Sequence, residues 1–290
     1  MRLALRAARE RTGLSQSEVA KKLGWSLSKV QRIELGEVTI SPTDLRAVLV
    51  DIYQLGDQAR IAELMEEARV ARRERYTTAS EHRDHLPSGL LQLVQFEQAA
   101  VTIREYQSTM VPGHLQTSAM VDATLAWFDR VLTEDVRDVL RDVRLTRRER
   151  MVERETAPEY LLLLDESALW RLVGDAATTA DQFADLAEVG RRPNVHIRIL
   201  PMDSGALMGT FGAFVVLDMS GEPDDAVLYR ETYLHDEIVE DTTEVRYHRD
   251  VFERFWHRAL DEEASRTLVM ARVLDLRARI ARRFGQDQDR

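Results

Sequence analysis

The 290-residue sequence contains no cysteine. Disulfide bonds, thiolate metal sites, iron–sulfur clusters and cysteine nucleophiles are therefore excluded, and a reducing cytoplasm is the expected environment. Apolar runs are also short, since none approaches the roughly 18 residues that a membrane-spanning helix needs. The N-terminal residues Met1–Arg6 lack the apolar stretch of a secretion signal. We therefore expect a cytoplasmic protein that does not contact a membrane.

Catalytic motifs are missing as well. The sequence has no serine nucleophile elbow of the form Gly-x-Ser-x-Gly and no His-Glu-x-x-His zinc motif. His82 and His85 have a spacing that occurs at metal sites, but no cysteine or third histidine stands nearby. His235 and Glu237, the other candidate metal ligands, would point apart on a helix. The sequence therefore predicts no enzymatic activity, no metal and no cofactor.

Charged residues are abundant but unevenly divided along the chain. They make up 31% of the residues beside 44% hydrophobic ones, which is enough apolar material for a sizeable core. The net charge of −10 comes from 40 basic and 50 acidic residues. Residues 1–73 hold 13 basic and 10 acidic side chains (+3), which leaves 27 and 40 (−13) for residues 74–290. A basic head and an acidic body indicate separate roles, and phosphate would attract the head.

The basic head, residues 1–73, has the pattern of five short helices. The helix boundaries are marked by Gly13, a Ser15–Glu18 capping box, Gly24, Ser26, Gly36 and Ser41–Pro42, and a fifth helix is expected over about residues 57–73. The second and third helices are separated by a glycine turn. This arrangement predicts a helix-turn-helix unit, in which the third helix enters the major groove of DNA.

The third helix divides into two faces. Val30 and Ile33 are expected to face the core. The side chains on the opposite face are Leu27, Ser28, Lys29 and Arg32. Arg32 could bind guanine O6 and N7 in a fork, Lys29 could do so less specifically, and Leu27 could contact a thymine methyl group. These four residues are therefore the predicted base contacts.

Other polar residues of the head are predicted to contact phosphate or to support the fold. Ser15 and Gln16 stand at the start of the second helix and Ser26 at the start of the third, where backbone amides also attract anions. We predict phosphate contacts for these three residues. Glu34 is expected to pair or cap near the turn rather than touch DNA, and Trp25 is expected to pack the turn.

The head resembles the phage-repressor-type (Xre) helix-turn-helix domain over about residues 2–56. The residues that carry the resemblance are Thr12–Ser26, Val30, Ile33, Glu34 and Gly36. It implies that the groove-facing positions of that family fall on the four predicted base contacts, and that its phosphate-contacting glutamine falls on Gln16. Family members often carry a slightly longer basic arm before the first helix than this chain does.

Residues 74–89 are predicted to form a linker, and residues 90–290 an α+β domain. Helices are expected at 90–106, 117–132, 134–155, 167–173, 179–189, 250–260 and 262–284, and strands at 160–164, 195–200, 211–217 and 227–233. About four strands would form a small sheet with helices packed on it. The whole chain is therefore expected to be mainly α-helical.

Two of these helices have informative apolar faces. In the helix predicted at 117–132, Trp127 and Phe128 are expected on the apolar side. Near the end of the chain, four apolar residues recur at helical spacing: Val269, Val273, Leu276 and Ile280. This stripe either docks on the body, which is the preferred interpretation, or forms the seam of a dimer.

A second resemblance covers most of residues 90–275. The motifs that carry it are Val111–Thr117, Asp165–Leu169, Val195–Pro201, Gly209–Phe214, Ala259–Leu260 and Glu262–Ser265. In this order, behind an Xre head, they are similar to the large actinobacterial regulator family with a C-terminal DUF5753 domain, the Scr1- or WhiJ-like proteins. One departure is Asp261-Glu262, where members usually have serine-proline.

The second resemblance implies a nucleoid-associated transcriptional regulator whose body binds a small DUF397-like protein encoded next door. Because one head buries little surface, we expect a homodimer on a pseudo-palindromic operator. Two alternatives stay open: an antitoxin-like protein that chiefly captures its partner, and a small-molecule sensor. A sensor would need a closed apolar pocket among the strands that carry Leu161, Val195, Phe211 and Val227.

Overall fold

The computed structural model describes residues 2–34, 40–77, 86, 88–153, 157–204, 212–220, 225–231 and 236–288. Its contacts divide the chain into two compact units, Met1–Asp84 and His85–Arg290. The chain is mainly helical, with a small sheet in the second unit, so the predicted fold class is confirmed. Most of the expected linker, together with His82, His85, Phe211 and His235, lies outside the described residues. No described helix is long and apolar enough to cross a membrane.

Five helices make up the described part of the first unit, as predicted. They are α1 Arg2–Arg11, α2 Gln16–Leu23, α3 Leu27–Glu34, α4 Pro42–Ala47 and α5 Gln58–Thr77, with a π-helical turn at Val48–Ile52 after α4. Every helix contributes to one core. Its central side chains are at most 4% exposed and include Leu5, Val19, Val30, Ile33, Leu45, Leu49, Ile61 and Leu64. The first unit therefore has a single apolar core to which every one of its described helices contributes.

Capping fixes the ends of α2. The Ser15 hydroxyl oxygen accepts a hydrogen bond from the Glu18 amide at 3.3 Å, and the Ser15 amide donates to Glu18 Oε2 at 2.8 Å. The predicted capping box is therefore confirmed. At the other end Gly24 has a φ of 65°, the left-handed conformation that glycine adopts most readily. These two ends define the tight turn that separates α2 from α3.

The second unit is built on a mixed sheet. In the described residues it has six strands, in the order β3-β2-β1-β4-β5-β6. Their bounds are β1 Thr102–Gln107, β2 Glu159–Asp165, β3 Val195–Leu200, β4 Phe214–Asp218, β5 Ala226–Glu231 and β6 Asp236–Val239. β2 lies between β1 and β3 and is parallel to both. On its other side β1 pairs antiparallel with β4, β4 with β5, and β5 with β6. β1 therefore joins a parallel half to an antiparallel half.

Helices and short 3-10 turns surround the sheet. The helices are α6 Ser88–Ala99, α7 Ser118–Ala126, α8 Glu134–Arg148, α9 Ala176–Val189, α10 Thr242–Trp256 and α11 Glu262–Gln288, and the 3-10 turns are Gly113–Leu115 and Glu166–Trp170. α10 packs on the sheet through Phe252 and Trp256, against Tyr106 and Phe214 among others. α11 contacts α9 and β3. Val269, Val273 and Leu276 are buried there, which confirms that this stripe docks on the body.

The predicted helix at 90–106 is wrong in its second half. α6 ends at Ala99, and Thr102–Gln107 form β1 in the middle of the sheet. The polar residues Arg104, Glu105 and Gln107 disguised this strand, because a central strand is usually apolar on both faces. β6 was also missed, since a four-residue edge strand is too short to show alternation.

Two other helix boundaries differ from the predictions. α10 begins at Thr242 rather than near residue 250, because the Asp241 carboxylate caps it by accepting from the Thr243 and Glu244 amides. α7 ends at Ala126 instead of continuing to residue 132. The 3.6-residue period of a helix therefore does not decide which side chains after Ala126 face the core. Trp127 and Phe128 are consequently 79% and 44% exposed, so their predicted place on the apolar side is wrong.

Glycine 174 provides a test of packing in the second unit. Its φ is +70°, and a β-carbon at this position would lie 2.9 Å from the Ala123 Cβ on α7. Gly212 has a matching φ of +68° with open space around it. We expect Gly212→Ala to cost about 1–2 kcal/mol from the left-handed conformation alone. Gly174→Ala has the same conformational cost and also brings the new β-carbon too close to Ala123. Such overpacking typically costs about 1–3 kcal/mol more. Urea denaturation of both variants measures the difference, and equal losses would contradict the close approach.

Candidate DNA-binding surface

The two faces of α3 are separated as the sequence predicts. Val30 and Ile33 are 3% and 4% exposed and lie in the core. The side chains that lie on the outer face, all exposed, are Leu27, Ser28, Lys29 and Arg32. Leu27 is 43% exposed although it is a large apolar residue. The helix thus exposes one apolar, one hydroxyl and two cationic side chains at these four positions.

The first turn of α3 is held by its neighbours. The Ser26 hydroxyl accepts a hydrogen bond from the Lys29 amide at 3.1 Å, so Ser26 caps α3 as predicted. The Lys29 ammonium lies 3.6 Å from the centre of the Trp25 ring and 3.9 Å from an Asp44 carboxylate oxygen. Trp25 itself packs against the core of the first unit, in agreement with its predicted place in the turn. The Lys29 ammonium is therefore held close to Trp25 and Asp44 at the start of α3.

Ser15 is already engaged within the first unit. Its hydroxyl donates to Glu18 Oε2 at 2.7 Å, in addition to accepting from the Glu18 amide. Hydrogen bonds from the side chain and backbone of Ser15 lower the pKa of the Glu18 carboxyl. A charged carboxylate thus stands beside this hydroxyl. Ser15 can reach a phosphate only if its bond to Glu18 is released.

Gln16 is held by a buried ion pair. Its Nε2 donates to Glu34 Oε2 at 2.8 Å. Glu34 also accepts from Arg9, at 2.7 Å from Nε and 3.1 Å from Nη2, and both residues are under 10% exposed. Arg9 Nη1 donates to the Leu14 carbonyl at 2.9 Å. This Arg9–Glu34–Gln16 network joins α1, the turn before α2, α2 and α3.

The network gives Glu34 a structural role and includes Arg9, a residue that the sequence analysis does not name. The expectation that Glu34 pairs near the turn is confirmed. Arg9 was not singled out, although it follows the buried Leu5 by four residues and therefore lies on the inward side of α1. Tyr53 also lies close to the pair, and its phenol pKa is raised to about 12, chiefly by burial and also by Glu34. The bond to Glu34 uses one of the two amide hydrogens of Gln16.

A second polar cluster lies inside the second unit, where sequence reasoning found none. The Glu105 carboxylate projects from β1 and accepts from the Tyr160 hydroxyl at 2.7 Å and from Gln107 Nε2 at 2.8 Å. Arg147 Nε donates to Glu97 Oε2 at 2.8 Å. All of Glu97, Glu105 and Tyr160 are under 10% exposed. The sequence signal for this cluster is Glu105, an acidic residue in the run between Ile103 and Tyr106.

His114 connects the two parts of this cluster. Arg147 Nη2 lies 3.4 Å from His114 Nδ1. Because arginine only donates, Nδ1 accepts and Nε2 carries the proton, 3.6 Å from Glu105 Oε2. Burial, together with Arg147 and Arg148, lowers the pKa of His114, so the ring is neutral. Burial also raises the pKa of Glu105 to about 7. The cluster can thus hold or release one proton near neutrality.

An open cavity of about 510 Å³ in the first unit is lined by Arg11, Lys22 and Tyr53 among others, whereas a metal centre is absent from the described residues. No group of three or more potential metal ligands is found among them. Leu161 packs against the sheet core, and Val195 and Val227 are at most 2% exposed. A cavity lined by Val111, Met120 and Phe183 among others has an open volume of about 10 Å³, roughly the size of one water molecule.

Comparison with known families agrees with this geometry. Residues 1–64 match a helix-turn-helix domain, so the first unit is of the class found in DNA-binding regulators. Residues 90–271 match a domain of unknown function, DUF5753, and the chain belongs to that family. No curated protein and no solved structure matches the chain significantly.

Glu34→Gln tests the buried network. It removes the buried partner of Arg9, which keeps only the exposed Glu10 carboxylate at 3.5 Å, and breaking a buried pair typically costs about 3–5 kcal/mol. Glu63→Gln is a matched control, because the Arg60–Glu63 pair is solvent-exposed and such pairs contribute less than about 1 kcal/mol. Hydrogen exchange of core amides in residues 19–49 reports the stability of the first unit. Similar exchange rates in the two variants would show that the network does not support the fold.

Glu105→Gln tests the buried cluster through pH. With a pKa raised from 4.5 to about 7 in the folded chain, Glu105 binds its proton more tightly folded than unfolded. Its contribution to stability is therefore present below pH 4.5 and is lost as pH rises to about 7. We expect the variant to gain on the order of 3 kcal/mol over the wild type across this window. Denaturation at a series of pH values measures it, and parallel curves would contradict the prediction.

Proposed function

We propose that the chain is a transcriptional regulator that binds a specific sequence of double-stranded DNA, as a homodimer on a pseudo-palindromic operator. The observation that carries this proposal is the two-faced α3, with Val30 and Ile33 buried and a polar, cationic outer face. We assign the head to the Xre type and the protein to the Scr1- or WhiJ-like regulators of actinobacteria. Its site of action on this proposal is the nucleoid.

Base reading is assigned to the outer face of α3. Arg32 is the residue that we place on guanine, because its guanidinium can donate to O6 and N7 together. Lys29 binds a neighbouring acceptor after leaving Asp44, from which its ammonium is separated by 3.9 Å. Leu27 meets a thymine methyl group and Ser28 an adjacent base edge. The exposure of all four side chains supports this assignment.

Phosphate binding is assigned to Gln16, Ser15 and Ser26. Gln16 is the strongest of the three, because the bond to Glu34 fixes its side chain before DNA arrives. The net charge of +3 on residues 1–73 attracts the duplex, whereas the charge of −13 on residues 74–290 opposes non-specific contact by the body. This division favours docking through the first unit.

A small DUF397-like protein is proposed as the partner of the second unit. On the main hypothesis it modulates DNA binding. A second candidate function is an antitoxin-like capture module, in which DNA binding serves autoregulation. The large apolar side chains that the second unit exposes, including Trp127 and Val131 at 79% each, favour a protein-binding role for either version. A small-molecule sensor would need a closed apolar pocket among the strands of the second unit. The cavity lined by Val111 there has room for about one water molecule, and the open cavity of about 510 Å³ lies in the first unit instead.

Binding to a labelled fragment of the promoter of the chain's own gene tests the proposal. We expect affinity to fall steeply with salt. Arg32→Ala should lose about 1–3 kcal/mol of preference for the operator over random DNA. Gln16→Ala should weaken binding to all sequences alike. Arg60→Ala, on the exposed surface of α5, is the control and should change neither quantity.

Two results would overturn the parts of the proposal separately. Unchanged affinity and preference in Arg32→Ala would exclude docking through α3. The DUF397-like product of the neighbouring gene should bind the chain and release the promoter fragment. If that product binds without affecting the fragment, the capture function replaces the modulating one. If it does not bind, the partner role is wrong while the DNA-binding role stands.

A further inference from the structure

Three large apolar side chains project from the turn that follows α7. Trp127 and Val131 are 79% exposed and Phe128 is 44% exposed. We call this group the apolar knob. Single exposed apolar residues are common, but adjacent ones of this size mark surfaces that bind other proteins. Tryptophan in particular is enriched among the residues that dominate the binding energy of protein interfaces.

The turn that carries the knob is well organised. The Trp127 amide donates to the Thr124 carbonyl at 3.3 Å, and the Val131 and Leu132 amides both donate to the Phe128 carbonyl, at 2.9 and 2.8 Å. Thr124 and Leu125, just before it, are buried. The knob is therefore fixed before a partner arrives, which reduces the entropy lost on binding.

Hydrogen bonds between the flanking helices add to this rigidity. Arg141 on α8 donates to Asp122 at 2.7 Å and to Ser118 at 2.5 Å, both on or beside the first turns of α7. A second exposed apolar residue, Leu172, is carried by a segment that lies against the same helix. A β-carbon at Gly174 would meet Ala123 on α7 at 2.9 Å. Leu172 is 50% exposed.

Acidic side chains border the knob. The exposed acidic residues from 129 to 138 are Asp129, Glu134, Asp135 and Asp138, against a single exposed basic residue, Arg130, whereas Asp122 before the turn is paired with Arg141. An apolar centre with a charged border is the usual anatomy of a protein interface. The border here is mostly of one sign, so it selects a partner of the opposite sign. A symmetric contact with a second copy would instead bring acidic borders together.

We infer that the apolar knob is the docking surface for a partner protein that has an apolar pocket bordered by lysine and arginine. Trp127 and Val131 fill the pocket, and Asp129 and Glu134 meet its basic border. This inference rests on the proposed function, because it names the surface through which the second unit captures its partner. It also places that surface away from the predicted DNA contacts in sequence and in structural unit.

The test uses the full-length chain and the purified product of the neighbouring gene. The knob variant is Trp127→Ser with Val131→Ser, and the border variant is Asp129→Asn with Glu134→Gln. Leu274→Ser on α11 is the matched control, because Leu274 is 65% exposed and outside the knob. Affinity for the product is measured by calorimetry at low and high salt, and affinity for the promoter fragment is measured in parallel. Sedimentation of the chain alone reports its oligomeric state.

We expect the knob variant to bind the product at least about 30-fold more weakly, and the control to bind it within about twofold of the wild type. Salt should weaken wild-type binding, and the border variant should lose most of that salt dependence. Promoter affinity should be the same in all variants.

Other outcomes overturn the inference in distinguishable ways. If the knob variant binds the product as tightly as the wild type does, the docking surface is not the knob, and the proposed function still stands. Binding through the knob without salt dependence, or with stronger binding in the border variant, would exclude the basic pocket. A dimeric wild type with a monomeric knob variant would identify a second copy as the occupant. If the wild type does not bind the product, the partner role and this inference fail together.

Discussion

The buried ion pair between Arg9 and Glu34 is the interaction on which the first unit depends. Two charges are removed from water there, and the geometry compensates with two hydrogen bonds between them and further bonds to Leu14 and Gln16. Because these bonds reach α1, α2 and α3, the same pair holds the fold and orients a proposed phosphate contact. The stability of this unit and the proposed phosphate contact therefore depend on the same side chains.

The first unit was largely predictable because its signals are local. Capping residues, glycine turns and a 3.6-residue period each depend on a few neighbouring positions, so Ser15, Gly24 and Ser26 marked their helix ends correctly. Long-range pairs carry no such signal. Arg9 and Glu34 are 25 residues apart, and their contact depends on the way that three helices cross.

The second unit was harder to predict for the same reason. β2 and β3 were found because both are continuous or alternating apolar runs, whereas β1 carries a charge pair on its two faces. Glu105 is satisfied by Tyr160 from the neighbouring strand, and Arg104 by Asp218 and Glu253. A strand can thus be polar in sequence and central in the sheet when its partners come from distant elements. The exposed Trp127 shows the converse, an apolar residue that a helical period wrongly placed inside.

The place of β1 in the sheet also has a consequence for synthesis of the chain. Thr102 pairs with Glu159 on one side and with Asp218 on the other. During synthesis, the edge of β1 that pairs with β4 therefore stays unpaired until more than a hundred further residues have been added. Such an unpaired edge is a template for aggregation while the chain is incomplete. Charged residues on an exposed strand oppose that association. We therefore expect Arg104 and Glu105 to act as gatekeepers on the ribosome, before either reaches its place in the finished sheet.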